Sequence, residues 1–270
     1  MRTKVLMDHS IVTRSSLMRW VEKPLEGFHS SARLWGAERI PPFSDPAWEA
    51  EAEAILTVGK LVREKKVEAF SSMELKWEAM RDYLGSTPLD AFEGCDIDIA
   101  PNPIERGRFV RAELGHYVKK GGKKDIAEGK NGASQISFFR WLLKLEPDSM
   151  HKILEARESR QLTDFDCESL NDLGWFKALA TRLKSEENLP DAFHLWTARR
   201  NRIDVFLTLD RKLINHAASI ESEKSGFRLG VRVRSPIAFL REEGVANPEP
   251  YPFRLGQFYT FVEIKNIAAK

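Results

Sequence analysis

The stretch LPDAFHLWTARRNRIDVFLTLDRKLIN (189–215) constrains the fold most, because it joins an expected helix to a short apolar strand. The run VFLTLD (205–210) has no polar residue before Thr208, which is typical of a strand buried on both faces. Other strand-like runs are KVLMD (4–8), KKVEAFSS (65–72) and RLGVRVR (228–234). Because these runs alternate with helical segments, we predict an α/β fold: a parallel sheet in a three-layer sandwich, with helices on both faces and right-handed crossovers.

Capping residues and apolar spacing predict the helices. Asp45-Pro46 suits the start of a helix that runs to about residue 65, because Asp is a favoured N-cap and Pro a favoured first residue. Ser72 is expected to cap the next helix, MELKWEAMRDYL, which Gly85 ends. Later helices are expected in ISFFRWLLKL, PDSMHKILEARES and ESLNDLGWFKALATRLK. No clear periodicity marks 14–44, and the turn- and lysine-rich stretch 86–134 predicts a loop.

Composition restricts the function only weakly. The 270 residues include 42 basic and 40 acidic ones, for a net charge of +2. The overall charge therefore indicates no particular partner, and any nucleic-acid surface must be local. The short apolar run at the start is too short for a signal peptide, and no apolar run is long enough for a membrane span. With two cysteines that form no metal spacing, we expect a cytoplasmic protein without membrane contact.

Acidic residues fall where an α/β sheet places its ligands, outside the carboxyl ends of the strands. Asp8 and Asp210 close two expected strands, Asp191 opens a helix, and Glu78 lies on the helix after Ser72. Each alone has an ordinary explanation: an N-cap for Asp191, a turn for Asp210, a solvated charge for Glu78. Together they would repel one another, and a divalent cation relieves that repulsion. Carboxylate oxygens suit Mg²⁺ or Mn²⁺, which can activate water for phosphodiester hydrolysis.

The order of these motifs resembles the PIN-domain family of metal-dependent ribonucleases, which includes the toxin halves of toxin–antitoxin pairs. The matching segments are VLMD-HSIV with Asp8 and Ser10, AFSS-MELKWE with Ser72 and Glu78, PDAFHLWTA with Asp191, VFLTLD with Thr208 and Asp210, and VRVRSPIAFL. The resemblance implies a PIN-like (Rossmann-like) sandwich and an endoribonuclease whose catalytic and metal residues are Asp8, Glu78, Asp191 and Asp210. It also implies Mg²⁺ or Mn²⁺ as cofactor.

The chain departs from the family pattern in three ways. His9-Ser10 stands where the family usually has Thr-Asn, and Glu74, one turn before Glu78, is an alternative ligand. The chain is also about twice as long as the compact toxin members, with the extra length at 14–65 and 86–175. We therefore expect a single PIN-like domain over 1–270, with 86–175 as an inserted loop and helical region. A catalytically inactive module that binds nucleic acid or protein is the alternative function.

Further residues are expected to support the site. The resemblance gives Ser10 and Thr208 a supporting role, and Arg211 and Lys212 lie closest to the acids for phosphate contacts. The expected partner is RNA, with single-stranded DNA and an antitoxin protein as alternatives. We expect His194 to pack at the helix start and His9 to point away from Asp8. More remote cations that could contact phosphate are Lys119, Lys120, Lys123, Lys124, Lys130, Arg199, Arg200 and Arg202. We expect the tryptophans mainly in the core; they are Trp20, Trp35, Trp48, Trp77, Trp141, Trp175 and Trp196.

Overall fold

The fold was analysed in a computed structural model, which describes residues 2–24, 33–40, 45–81, 88–108, 130–224 and 226–268. The strands are β1 (Thr3–Met7), β2 (Met18–Pro24), β3 (Arg33–Arg39), β4 (Val67–Ser72), β5 (Ile97–Ala100), β6 (Val205–Leu207), β7 (Arg232–Arg234) and β8 (Phe258–Thr260). The helices are α1 (His9–Thr13), α2 (Pro46–Arg63), α3 (Met73–Arg81), α4 (Lys130–Lys144), α5 (Pro147–Glu155), α6 (Asp164–Asn171), α7 (Leu173–Leu183), α8 (Leu189–Arg200), α9 (Arg211–Ser222), α10 (Pro236–Glu242) and α11 (Phe261–Ala268).

A five-stranded parallel sheet forms the centre of the molecule, in the order β5-β4-β1-β6-β7. β1 is the middle strand and pairs with β4 from Thr3 to Leu6 and with β6 from Val5 to Met7. Every pairing in this sheet is parallel, so all its strands end at the same edge. The predicted α/β class with a parallel sheet is confirmed.

Helices cover both faces of the sheet, because successive side chains of a strand point to opposite sides. Leu6 and Phe206 face one core, built with α3, α4, α7, α8 and α9. Val5, Met7 and Val205 face the other, which α2 and α10 complete. This alternation makes the three-layer arrangement and fixes which side chains remain at the carboxyl edge.

Helix α8 is apolar almost all round, since residues 192–198 are all buried. Its Phe193 ring lies 5.2 Å from Phe139 and 5.9 Å from Trp196. Trp196 in turn stacks on Phe176 of α7 at 5.2 Å. Such aromatic pairs contribute about 0.5–1.5 kcal/mol each beyond the area they bury. The helices between 130 and 183 therefore hold α8, and with it Asp191, against the sheet.

A second, antiparallel sheet is the part of the fold that the sequence did not predict. It has the order β2-β3-β8 and lies partly within 14–44, where no periodicity was apparent. Its small core contains Met18, Ala37, Phe253, Tyr259 and Ile264. Strand β8 and helix α11 were also not expected.

The structure corrects several element boundaries. Segment 86–175 contains β5, which pairs with β4 at the edge of the central sheet rather than lying in a loop. Helix α8 begins at Leu189, and Asn188 is its N-cap, so Asp191 lies within the first turn and is not the cap. Strand β6 ends at Leu207, and Asp210 is the N-cap of α9.

Other predictions are confirmed or lie outside the described residues. Asp45 is the N-cap of α2 and accepts a hydrogen bond from the Ala47 N–H at 2.9 Å. Ser72 accepts from the Leu75 N–H at 3.3 Å, whereas Gly85 lies outside the described residues. Both cysteines are free thiols. Among the described helices, none combines the length and the hydropathy that a membrane crossing requires. The division into one domain with an inserted region at 86–175 stays a prediction.

Gly59 of α2 provides a stability test of the packing. A Cβ at this position would lie 2.0 Å from the Ala91 carbonyl oxygen. Although alanine is the better helix former, we expect Gly59→Ala to lower the free energy of unfolding by about 3 kcal/mol, because backbone atoms would have to move.

The matched control is Gly174→Ala in α7, where a Cβ meets nothing within 4 Å. This change should raise stability by about 0.5 kcal/mol through helix propensity. Urea unfolding of both variants checks the pair, and equal effects would contradict the described contact of α2 with the 88–95 segment.

Candidate active site

Four predicted acidic residues approach one another at the carboxyl edge of the central strands. Asp8 follows β1, and Asp210 begins α9 after the neighbouring strand β6. Glu78 lies on α3 after β4, the other neighbour of β1, and Asp191 lies in the first turn of α8. The charges of Asp8, Asp210 and Glu78 all act on Asp191. The fold thus brings together side chains that are up to 202 positions apart, from Asp8 to Asp210.

Asp8 is fixed by a hydrogen-bond network. Its Oδ2 accepts hydrogen bonds from the hydroxyls of Ser10 and Thr208, each at 2.6 Å. Its Oδ1 accepts from the His9 N–H at 2.7 Å and caps α1. The two hydroxyls accept in turn, Ser10 from the Leu209 N–H at 3.0 Å and Thr208 from the Asp210 N–H at 2.9 Å. Ser10 and Thr208 therefore lie at the predicted position and join the Asp8 carboxylate to the backbone that carries Asp210.

Asp210 serves as a cap while it lies at the edge of the site. Its Oδ1 accepts from the backbone N–H groups of Lys212 at 2.7 Å and Leu213 at 3.1 Å. Within the described residues, no hydrogen bond reaches its Oδ2. One carboxylate oxygen therefore holds α9, and the other is available to a ligand.

The pKa of Asp191 is raised well above its ordinary value. Burial raises the pKa of Asp191 to about 7, His194 opposes that rise, and the negative charges of Asp8, Asp210 and Glu78 add to it. No described residue donates a hydrogen bond to this carboxylate. A partly buried aspartate without a donor, next to three other carboxylates, carries an excess of negative charge that a cation would relieve.

His194 is buried and forms a pair with Glu78. The sequence did not predict this pair. Its Nε2 lies 3.1 Å from Glu78 Oε1, and its side chain is 1% exposed. Burial lowers the pKa of His194, but the charge and hydrogen bond of Glu78, with the charges of Asp8 and Asp191, outweigh it and raise this pKa to about 9. At neutral pH the imidazolium therefore compensates part of the acidic charge.

Glu74, the alternative to Glu78, has a different environment. It is 3% exposed and pairs with the buried Arg106, whose Nε and Nη2 donate at 3.2 and 3.1 Å. The Arg106 guanidinium also lies 4.5 Å from the centre of the Phe138 ring. Glu78, in contrast, lines a cavity. The geometry places Glu78 at the candidate site and Glu74 in the supporting structure.

Three of the four acids, Asp8, Glu78 and Asp210, border a cavity of about 430 Å³, which Asp191 does not line. The other lining residues are His9, Ser10, Thr13, Arg14, Trp48 and Leu209. The premise that His9 lies at a strand end is wrong, because His9 begins α1, and it also lines this cavity. Trp48 and Arg14 were not predicted here, since Trp48 fits the apolar face of α2 and Arg14 stands in no motif. A larger cavity of about 630 Å³ lies between α9 and β7. None of the four predicted acids lines it.

The carboxylates do not form a preassembled metal site. Within the parts of the chain that the structure describes, no group of three or more His, Cys, Asp or Glu side chains is arranged to hold a metal ion. The hydrogen bonds explain this, because Glu78 is bound to His194 and Asp8 to two hydroxyls. The donor types nevertheless suit Mg²⁺ or Mn²⁺, which prefer carboxylate oxygen.

Arg211 and Lys212 follow Asp210 directly, at the start of α9. Arg211 forms an ion pair with Asp45 and lies over the Trp48 ring, 4.5 Å from its centre. The expectation that tryptophans lie mainly in the core is wrong for Trp35, which is 63% exposed on β3. Of the remote lysines, Lys119, Lys120, Lys123 and Lys124 lie outside the described residues, as does the side chain of Lys130.

Other remote cations are engaged elsewhere. Arg199 pairs with Asp172 and Arg200 with Glu168.

Comparison of the chain with family models, with curated proteins and with solved structures finds no match. The resemblance to PIN-domain nucleases therefore stays a prediction from the motifs. Any functional conclusion depends on the geometry described above.

The raised pKa of Asp191 predicts a pH-dependent stability. Its folded-state pKa of about 7 lies above the ordinary value of 3.8, so the associated stability is complete below that ordinary value and is lost as pH rises through 7. Asp191→Asn removes this loss. In EDTA, we expect the stability of the variant relative to wild type to increase by about 2 kcal/mol between about pH 5 and about pH 8.

Urea unfolding at both pH values measures this difference. Asp148→Asn, at an exposed position in the first turn of α5, is the matched control and should show no such change. A difference between wild type and Asp191→Asn that stays constant with pH would show that Asp191 is ionised throughout.

Proposed function

We propose that this protein is a Mg²⁺- or Mn²⁺-dependent nuclease that hydrolyses phosphodiester bonds, with RNA as its substrate. The observation that carries the proposal is the convergence of four acids at the carboxyl edge of a parallel sheet: Asp8, Glu78 and Asp210 line a cavity, and their charges act on the more buried Asp191. Ligands of open α/β sheets bind at this edge. The resemblance of the four motifs to PIN-domain ribonucleases agrees with this proposal.

The same four carboxylates would hold the metal. The excess charge around Asp191 supports this assignment, since a divalent cation would lower the pKa of Asp191 and remove the repulsion. A bound Mg²⁺ or Mn²⁺ supplies an activated water and neutralises charge on a phosphoryl oxygen. His194 contacts Oε1 of Glu78, so Glu78 would bind the metal either through Oε2 or after its side chain turns from the imidazole.

Other residues of the chain orient the acids and the substrate. Ser10 and Thr208 hold the Asp8 carboxylate through short hydrogen bonds, which fixes it at the end of β1. Arg14 lines the cavity, and Lys212 is exposed beside Asp210. Cations at these positions are suited to contact the phosphates that flank a scissile bond.

A binding module without turnover is the second candidate. The Glu78–His194 pair favours it, because this pair satisfies a carboxylate that the nuclease needs as a ligand. The lack of a preassembled ligand group among the described residues has the same implication. An antitoxin protein would be a partner of such a module. It would equally be a partner of an active toxin.

Metal binding can be tested without activity. We expect Mn²⁺ or Mg²⁺ to raise the melting temperature of the wild-type protein, because the ion binds the folded state only. Asp8→Asn and Asp191→Asn should reduce the rise, whereas Asp148→Asn should retain it. Differential scanning fluorimetry with increasing Mn²⁺ measures the effect, and an equal rise in all four proteins would place the ion elsewhere.

Cleavage is tested with mixed-sequence RNA and single-stranded DNA, in Mn²⁺, Mg²⁺ or EDTA. We expect cleavage of RNA that requires metal and falls at least 100-fold in Asp210→Asn. Asparagine caps a helix as well as aspartate does, so α9 should keep its start in this variant.

Glu74→Asp is not a suitable control, because Glu74 is buried against Arg106. Asp148→Asn is the matched control again and should cleave like wild type. Full metal-dependent cleavage by a folded Asp210→Asn protein would refute the proposed site. Binding of RNA without metal and without turnover would favour the binding module.

A further inference from the structure

Trp48 is the one large aromatic residue that lines the acidic cavity, and the nuclease proposal assigns it no role. It lies in the first turn of α2, two positions after Pro46. Its side chain is partly buried and packs against the core formed by α2, α10 and one face of the sheet. The ring is therefore anchored by the core and still borders the space next to Asp8 and Asp210.

The start of α2 and the start of α9 are joined at this point. Arg211 of α9 forms an ion pair with Asp45, the N-cap of α2, and the hydrogen bond from Arg211 lowers the pKa of Asp45. The same guanidinium lies over the Trp48 ring, 4.5 Å from its centre. Arg211 therefore follows Asp210 in sequence and also covers one face of the Trp48 ring. This contact ties the ring to the segment that carries Asp210, and a base would have to stack on the opposite face.

The cavity combines three kinds of chemistry within about 430 Å³. Asp8, Glu78 and Asp210 supply carboxylates, Arg14 a cation and Trp48 an aromatic ring. A nucleotide has the complementary parts: a phosphate that a cation, or a metal on the carboxylates, can bind, and a base whose face stacks on an aromatic ring. Stacking on such rings is a general means of binding single strands.

We propose that Trp48 is a substrate-positioning residue that stacks one unpaired base of a single-stranded nucleic acid, with the adjacent phosphate directed to the acids. The inference rests on the proposed nuclease function and deepens it by naming the substrate class. A base in a duplex already has both faces covered by its neighbours, so only an unstacked base can use the ring. A cavity of this volume accommodates about one nucleotide.

Trp48 would act by positioning and not as a catalytic residue. Base stacking does not depend on the 2′-hydroxyl, so this contact binds RNA and single-stranded DNA alike. Any preference for RNA must then come from other residues. Stacking also tolerates all four bases, and the proposal therefore expects little sequence specificity at this position.

The test is a binding measurement in which the protein loses the Trp48 ring by substitution and the oligonucleotide loses one base. The full chain carries Asp210→Asn so that it does not cleave, and Mg²⁺ is present. Its affinity for a short, end-labelled single-stranded oligoadenylate is measured by fluorescence anisotropy. A second series of oligonucleotides carries a single abasic nucleotide at each position in turn.

With Trp48 present, we expect one abasic position to weaken binding about 10-fold. Trp48→Leu should weaken binding of the intact oligonucleotide by about the same factor and should lose the sensitivity to that abasic position. Trp48→Phe should retain part of both effects, because a smaller ring still stacks. A merely structural role of Trp48 would weaken all the oligonucleotides equally and leave the abasic profile unchanged.

Trp35→Leu is the matched control, because Trp35 is exposed on the second sheet and does not line the cavity. It should leave both affinity and abasic profile unchanged. If Trp48→Leu fails to fold, as judged by its melting temperature, the comparison of Trp48→Phe with the parent decides. An unchanged affinity in a folded Trp48 variant, or an abasic profile that persists in it, would overturn the inference.

The outcome is separable from that of the nuclease proposal. If wild type cleaves RNA but the Trp48 variants bind and cleave normally, the stacking inference fails and the nuclease stands. If the abasic profile depends on Trp48 but wild type never cleaves, the stacking contact stands in a binding module. A fully base-paired version of the oligonucleotide should bind more weakly than the single strand, and equal binding would contradict the proposed substrate class. Oligodeoxyadenylate should show the same abasic sensitivity as the RNA.

Discussion

The hydrogen-bond network around Asp8 is the interaction on which the geometry of this site depends. Two hydroxyls, from Ser10 and Thr208, donate to one carboxylate oxygen, and each accepts a backbone N–H from the segment that leads to Asp210. The network therefore joins the ends of β1 and β6, which are neighbours in the sheet but almost 200 residues apart in sequence. Charged acceptors make the stronger hydrogen bonds of a protein, at about 1.5–3 kcal/mol each. The same bonds that hold the strands together thus set the spacing of two of the four acids.

Concentrating negative charge at this edge has a cost, and the chain offsets it in different ways for different acids. Asp8 is solvated by hydroxyls, Asp210 by the backbone at the start of a helix, and Glu78 by the imidazolium of His194. Asp191 has no such partner among the described residues, and burial, together with the charges of the other three acids, raises its pKa to about 7. Perturbed acids of this kind concentrate at functional sites.

The sequence predicted the parallel α/β core and the convergence of the acids, because both depend on local patterns. VFLTLD and KVLMD have the composition of buried strands, and the strands of a parallel sheet must end at one edge. The sequence predicted β7 within 228–234, although the strand covers only Arg232–Arg234. It did not predict β5 or the sheet of β2, β3 and β8, since these strands are short, exposed on one side or interrupted by charged residues. Their pairing is decided by tertiary contacts such as the packing of Tyr259 on Phe253. Within the site, Trp48 and His194 escaped prediction for a related reason: each fits an ordinary helical pattern, and only the folded chain shows that Trp48 borders the cavity and that His194 contacts Glu78.

Helix α3 carries two glutamates, Glu74 and Glu78, whose surroundings differ. Glu74 and Glu78 lie one turn apart and point to the same general side of the helix. Glu74 is buried with Arg106, whose guanidinium also packs on Phe138, so it fixes α3 to α4. A buried carboxylate with a bidentate partner of this kind is costly to release, because either charge alone would remain desolvated. Glu78 is more exposed, and its partner is an imidazolium that loses its charge on deprotonation. The less committed of the two acids, Glu78, is therefore the one that lines the cavity.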